Sequence, residues 1–156
     1  MGGTIVMRSL VVSKDIKAAE IWAGVVGTFQ DLAENHHGRY TARAHPSPNP
    51  GEPTHRPNGR QLLAEQYGDI NTNPTFWRSI DPMTYIKNIT APIQIQHGIA
   101  DEKVPFILSK KLDTALKNAG KTVEFFSYEG DDHNLSNNLS VALQRSVDFF
   151  DKYLKN

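Results

Sequence analysis

Apolar residues crowd the first twelve positions of the chain, where Ile5, Val6, Met7, Leu10 and Val11 fall between Gly2 and Val12 without a proline. That density predicts a helix that is apolar over much of its surface and therefore buried. Residues 18–26 form a short apolar run rich in β-branched and aromatic residues, as expected of a parallel strand covered on both faces. Residues 93–97 and 123–128 predict two further strands, the first entered through Pro92. Between them Val104, Ile107, Leu108, Leu112, Ala115, Leu116 and Ala119 keep helical spacing until Gly120. Strand, helix and strand in that order make a β-α-β unit with a right-handed crossover expected. A last helix, over about residues 138–154, carries Leu139, Leu143, Val147, Phe150 and Leu154 on one stripe, which is expected to close one face of the sheet. The fold class is α/β, with a parallel sheet of about three strands flanked by helices.

Residues 28–82 break this rhythm. Residues 45–59 hold five of the nine prolines and almost no apolar side chain, so they read as an extended loop rather than a core element. Two short helices, over residues 61–67 and 74–80, are expected to follow. A long insertion between strands of a compact sheet is usually a lid over a site. The chain is therefore read as one domain, residues 1–156, with residues 28–82 as a cap or loop insertion.

Composition removes several classes of function. Seventeen basic residues balance seventeen acidic ones and no run of like charge stands out, so nothing draws the chain to nucleic acid or to an anionic membrane surface. Cysteine is absent, which excludes a disulfide framework and a thiolate metal site but does not place the protein in a compartment. The amino terminus has neither a cleavage-site pattern nor enough apolar length to span a bilayer. Any export signal would lie upstream of it, and the cytoplasm is only a default.

Two blocks carry candidate chemistry. His97-Gly98-Ile99-Ala100-Asp101-Glu102-Lys103-Val104-Pro105 closes one strand and Tyr128-Glu129-Gly130-Asp131-Asp132-His133 closes another. Each places an acid or a base on a loop at the carboxyl end of a strand, where open α/β sheets build their sites. The chain order, Asp and then His, is that of an α/β-hydrolase triad. Together with Asn73-Pro74-x-x-Trp77-x-x-Ile80-Asp81-Pro82-x-x-Tyr85-x-x-Asn88-Ile89-x-Ala91-Pro92, these blocks resemble the catalytic domain of the prolyl oligopeptidase (S9) serine peptidases and related α/β-hydrolases. The resemblance covers most of the chain outside the proline-rich stretch.

That resemblance implies a partial α/β-hydrolase fold in which Asp101 is the triad aspartate and His133 the triad histidine. Met1-Gly2-Gly3 corresponds to the tail of a Gly-x-Ser-x-Gly-Gly turn. The sequence thus begins just past the position of the nucleophilic serine, and the backbone nitrogen of Met1 is expected to contribute to the oxyanion hole. A serine hydroxyl attacks only when an imidazole accepts its proton and a carboxylate holds that imidazole in the right tautomer. Lys103 occupies a place where many relatives carry Arg, within reach of a substrate.

Structural readings compete with these roles. Asp101 is also suited to capping the helix that follows, Asp132 to an ordinary turn, and His97 to packing at a strand end. His36, His37, His45 and His55 lack the spacing and carboxylate partners of a metal site and read as solvated. Glu20 and Asp31 have no counterpart in the triad pattern, and Ser9 lies inside the first helix without flanking glycines. The expected function is hydrolysis of peptide bonds through an acyl-serine, with no cofactor and no metal. The alternatives are a small-ester esterase similar to dienelactone hydrolase, and a catalytically inactive fragment that binds a missing amino-terminal half. The strand over residues 18–26 is expected to leave a long apolar edge unpaired, open to self-association or to that half.

Overall fold

The structure is a computed structural model that describes residues 2–35 and 59–155. Three parallel strands, β1 (Ala19–Trp22), β2 (Ile93–Gly98) and β3 (Val123–Tyr128), form one sheet in the order β1-β2-β3. Register aligns Ala19 with Ile93 and Ile93 with Val123. Helices α1 (Gly2–Val12) and α5 (Phe106–Asn118) and a 3-10 segment (Pro82–Asn88) cover one face. The opposite face is covered by α6 (Leu139–Leu154). Three shorter helices, α2 (Phe29–Asn35), α3 (Gly59–Tyr67) and α4 (Pro74–Ser79), lie in the long connection from β1 to β2. The proline-rich stretch and its histidines fall outside the described residues.

The two faces of the sheet differ in chemistry. Toward α1 and α5 it presents Ala19, Ile21, Ile93 and Ile95, which pack with Met7, Leu10, Leu112 and Leu116 in the main core. Toward α6 it presents the register-matched row Glu20, Gln94 and Glu124. Glu20 Oε1 accepts from Gln96 Nε2 at 2.6 Å and from Ser146 Oγ at 2.6 Å. Gln96 also donates to the Ala142 carbonyl at 3.0 Å, and Tyr128 donates its hydroxyl to Gln96. Buried polar groups of this kind are tolerable because each finds a partner.

Four expectations change. The first helix is buried only along the side that carries Met7 and Leu10, while Ile5 and Val12 are exposed. β1 is four residues long, because Ala23 adopts a left-handed φ of 43° and the Val26 amide turns back to the Gly24 carbonyl. Its burial alternates rather than being complete on both faces, so its free edge is short and not uniformly apolar. Finally, α6 does close the second face, but through Ala142, Ser146 and Phe149. Leu139, Leu143, Val147 and Leu154 are 45–56% exposed. Of the three that pack, Ala142 and Ser146 lie against the polar face of the sheet, bonding Gln96 and Glu20, which a small and a polar residue allow. Outside these four, α2 and the 3-10 segment are elements that the apolar pattern did not reveal.

The recurring Asn-Pro and Asp-Pro pairs have a local explanation. Asn73 caps α4 by accepting from the Phe76 amide, and Asp81 caps the 3-10 segment by accepting from Met83, each with proline at the next position. Proline suits that place because its missing N–H would have had no helical partner. Buried Trp77 donates to the Gly68 carbonyl at 2.9 Å and meets Phe29 edge on.

Candidate active site

Both candidate residues emerge from the carboxyl ends of neighbouring strands. Asp101 follows β2, His133 follows β3, and three backbone bonds fasten their loops. Ile99 N donates to Tyr128 O at 2.8 Å, Ala100 N to Asp131 O at 3.0 Å and Asp101 N to Gly98 O at 3.3 Å. This closeness requires Gly98, since a Cβ there would lie 2.4 Å from the carbonyl oxygens of both Asp131 and Asp132.

His133 Nδ1 lies 2.7 Å from Asp101 Oδ2. The partner is a carboxylate, so the imidazole carries its proton on Nδ1 and turns Nε2 away. Nε2 makes no hydrogen bond among the described residues, and the side chain is 31% exposed. An imidazole with a bonded Nδ1–H and an available Nε2 has the tautomer that a general base requires.

Asp101 is held from every side. Its Oδ1 accepts from the backbone N–H of Lys103 at 2.7 Å and of Val104 at 2.9 Å, while Oδ2 accepts from His133 and from His97 Nε2 at 3.0 Å. The side chain has no solvent exposure. Burial by itself raises its pKa, but donation from Val104, His133 and Lys103 outweighs that and holds the carboxyl below its ordinary value. The expected capping of the next helix by Asp101 does not occur, since α5 begins only at Phe106 with Pro105 at its N-cap and no side-chain cap bond. Oδ1 instead accepts from the loop amides of Lys103 and Val104, which leaves Oδ2 for the imidazole. Lys103 serves here through its backbone, and its side chain is exposed.

Two neighbours were not anticipated as part of the site. Buried Asp131 accepts from the amides of Asp132, Asn137 and Asn138 and from Asn138 Nδ2 at 2.9 Å, which fixes the loop beyond His133. Only the doubled acid before the histidine hints at it. His97 bonds directly to Asp101, a contact that i,i+4 spacing across a strand end does not announce. Asp132 is the turn residue expected, accepting from Asn134 and from Ser136.

The start of α1 belongs to the same edge. Gly3 packs against Gly24, just beyond β1, where a Cβ on Gly3 would lie 3.0 Å from Gly24 Cα, and Thr4 Oγ1 donates to Val25 O at 2.9 Å. The parallel strands put that loop at the sheet edge from which Asp101 and His133 project. Gly2 makes no such approach, and Met1 lies outside the described residues. Ser9 sits inside α1, its carbonyl bonded to Ser13. Glu20 belongs to the polar network beneath α6. Asp31 pairs with Lys111, tying α2 to α5. A cavity of about 300 Å³ opens between the first turns of α1 and α2, with Thr4, Ile5, Phe29, Leu32 and Arg60 in its wall.

Among the described residues, no group of three or more His, Cys, Asp or Glu is placed to hold a metal ion. No described helix is long and apolar enough to cross a membrane. His36, His37, His45 and His55 lie outside the described residues.

The sequence pattern of the prolyl oligopeptidase family matches residues 58–156, well over half of the chain. The chain belongs to the prolyl oligopeptidase family. Both candidate residues fall within the matched span, and the family is one of serine peptidases and hydrolases. The fold is similar to that of acylaminoacyl peptidase from Pyrococcus horikoshii, with a TM-score of 0.67 and 21% identity over 96% of this chain and 22% of that one. It is also similar to a puromycin-hydrolyzing peptidase of Mycobacterium tuberculosis, with a TM-score of 0.68 and 16% identity over 98% of this chain and 20% of the other. A truncated carbohydrate esterase from gut microbiota gives a TM-score of 0.59 and 24% identity, covering 90% of this chain and 44% of that one. Identities this low show the shared α/β-hydrolase fold and nothing finer. The chain spans about a fifth of the length of the two peptidases. No curated protein matches the sequence.

Proposed function

We propose that this chain supplies the acid–base half of a serine peptidase site, with Asp101 and His133 as two members of a triad whose serine lies amino-terminal to Met1. The observation that carries this reading is the 2.7 Å bond from His133 Nδ1 to an Asp101 carboxylate that four donors hold. In the proposed reaction His133 Nε2 takes the proton of the serine hydroxyl as its oxygen attacks the scissile carbonyl. The same proton passes to the leaving amine as the C–N bond breaks, and water then releases the acyl group by the reverse sequence. The backbone nitrogen at Met1, following the serine, is proposed as an oxyanion donor. The cavity by Phe29 and Leu32 suits an apolar substrate side chain, and residues 28–82 are proposed to act as a cap.

The partner reading is of the same kind. β1 has no strand on its outer side among the described residues. Ser146 of α6 faces Glu20 on β1, whereas Arg145 lies over Phe126 and Tyr128 on β3. At 100° per residue the exposed stripe of α6 therefore turns toward the β1 side. An amino-terminal segment contributing a strand and a helix fits that edge and stripe together. Self-association through the same surface is the alternative.

Two experiments test the proposal. The chain alone is expected to give no turnover of a p-nitrophenyl ester or a peptide anilide and no labelling by a fluorophosphonate probe. Stoichiometric labelling of any serine in it would refute the assignment. Fusion or co-expression with a matching amino-terminal segment ending in Gly-x-Ser is expected to restore hydrolysis, and His133→Ala in that pairing to lower kcat by about 10⁴-fold or more. Undiminished activity in the His133→Ala form would mean that another group is the base.

A further inference from the structure

Asp101 Oδ2 serves two imidazoles. His133 approaches it from the exposed side at 2.7 Å and His97 from the interior at 3.0 Å. His97 is wholly buried at the end of β2. Its Nε2 also lies 3.1 Å from the Val104 carbonyl, and its Nδ1 lies 2.7 Å from Ser109 Oγ on α5. Both partners of Nε2, a carboxylate and a carbonyl, can only accept. Nε2 therefore carries the proton, and Nδ1 accepts from the Ser109 hydroxyl. Burial holds the ring below its ordinary pKa although the Asp101 carboxylate pulls the other way, so it stays neutral at neutral pH. Phe106 packs edge on against it at 5.5 Å.

This arrangement has a specific electrostatic use. The Val104 carbonyl and Asp101 Oδ2 are two negative ends sharing a buried corner, and a single N–H placed between them offsets their repulsion. Remove that N–H and the carboxylate is left with a lone pair facing a carbonyl oxygen, and turning about χ2 relieves the contact. The oxygen that turns is the one His133 needs.

We propose that His97 is a positioning residue for the acid–base pair. Its Nε2–H, with Ser109 anchoring the ring from behind, holds the Asp101 carboxylate in the orientation from which Oδ2 receives the His133 Nδ1–H. The proposal rests on the reading of Asp101 and His133 as that pair. It extends the pair inward into a four-member chain, Ser109 to His97 to Asp101 to His133, in which His97 and Ser109 never touch substrate.

The test is made on the folded chain labelled with ¹⁵N in its histidine rings. In the wild type, His97 is expected to show the Nε2-protonated tautomer with a hydrogen-bonded Nδ1, and His133 a slowly exchanging Nδ1–H. In His97→Leu, with the remaining amide spectrum native, the His133 Nδ1–H signal is expected to be lost to exchange. His97→Gln, whose side-chain amide can donate near the same point, is expected to recover it. Survival of the signal in His97→Leu, or its loss in His97→Leu and His97→Gln alike, would overturn a positioning role. Should His97→Leu fail to fold, Ser109→Ala keeps the ring and removes only its rear anchor. It is expected to move the His97 Nδ1 resonance and speed His133 Nδ1–H exchange several-fold, and no change in either would overturn the proposal. Asp101→Ala separates the two levels: persistence of the His133 signal there sinks the acid–base pair itself, whereas loss there with persistence in His97→Leu sinks only the role of His97.

Discussion

Gly98 decides whether the two loops of the site can meet. Its Cα faces the carbonyls of Asp131 and Asp132, and no side chain fits in the 2.4 Å left for a Cβ. These neighbours are backbone, so relief requires the loop carrying His133 to move. Gly98→Ala is expected to cost about 2 kcal/mol or more, in the range of core overpacking, and to shift the His133 resonances more than those of α6. Urea unfolding and an amide spectrum together check this, and an unaltered His133 environment would show that the loops are not packed as described. At this scale Asp101 and His133 stood out in the sequence because each follows a strand-like run in a recognisable block. The part of His97 did not, because a histidine at a buried strand end reads equally as packing. Only the fold brings Ser109, Val104 and Asp101 around it.

Whether a helix packs by its most apolar stripe depends on what it packs against, and α6 shows the exception. Its Leu139, Leu143, Val147 and Leu154 follow ideal helical spacing yet stay exposed, while Ala142 and Phe149 are buried and Ser146 bonds Glu20. The row Glu20, Gln94 and Glu124 explains the choice, and alternation along three separate strands gives no sign that these residues will line up. Phe149→Ala is accordingly expected to cost about 3–5 kcal/mol, as for a buried aromatic ring. The double change Leu143→Lys and Val147→Lys is expected to alter stability by under about 1 kcal/mol while reducing concentration-dependent association in sedimentation. The reverse ranking would mean that the stripe is the packed side. β1 was misjudged in length for a related reason: Val25 and Val26 favour a strand by composition, but the left-handed turn at Ala23 ends it.

Across the whole molecule, stability and pH are linked through a few buried groups of opposite sign. The folded chain holds the His97 imidazole below its ordinary value, so below about pH 6.5 the unfolded chain binds a proton that the folded chain refuses, and stability falls. Asp101 is also lowered, so its contribution is complete above about pH 4 and is lost as the pH drops through its folded value. Asp81 opposes both, since burial raises it and the folded chain binds that proton at a higher pH than the unfolded one. Urea midpoints from about pH 8 to about pH 3 are expected to decline in two stages, with His97→Gln flattening the first. An unchanged first stage in that variant would exclude His97 as its source. At this scale the β-α-β unit was legible because helix and strand periods alternate cleanly there, whereas α2 and the 3-10 segment are only seven residues each, too short for an apolar period to announce them.

Both members of the proposed acid–base pair, the described donors that hold them and the Asp131 anchor come from residues 97–138. Among the described residues, none of these groups is drawn from the long connection between β1 and β2. Genetic recombination or drift within that connection can therefore remodel whatever lies there without disturbing the hydrogen bonds that hold Asp101 and His133. In a lineage built on this plan, the proposed cap and the proposed acid–base pair are inherited separately, and the first can diversify while the second stands still.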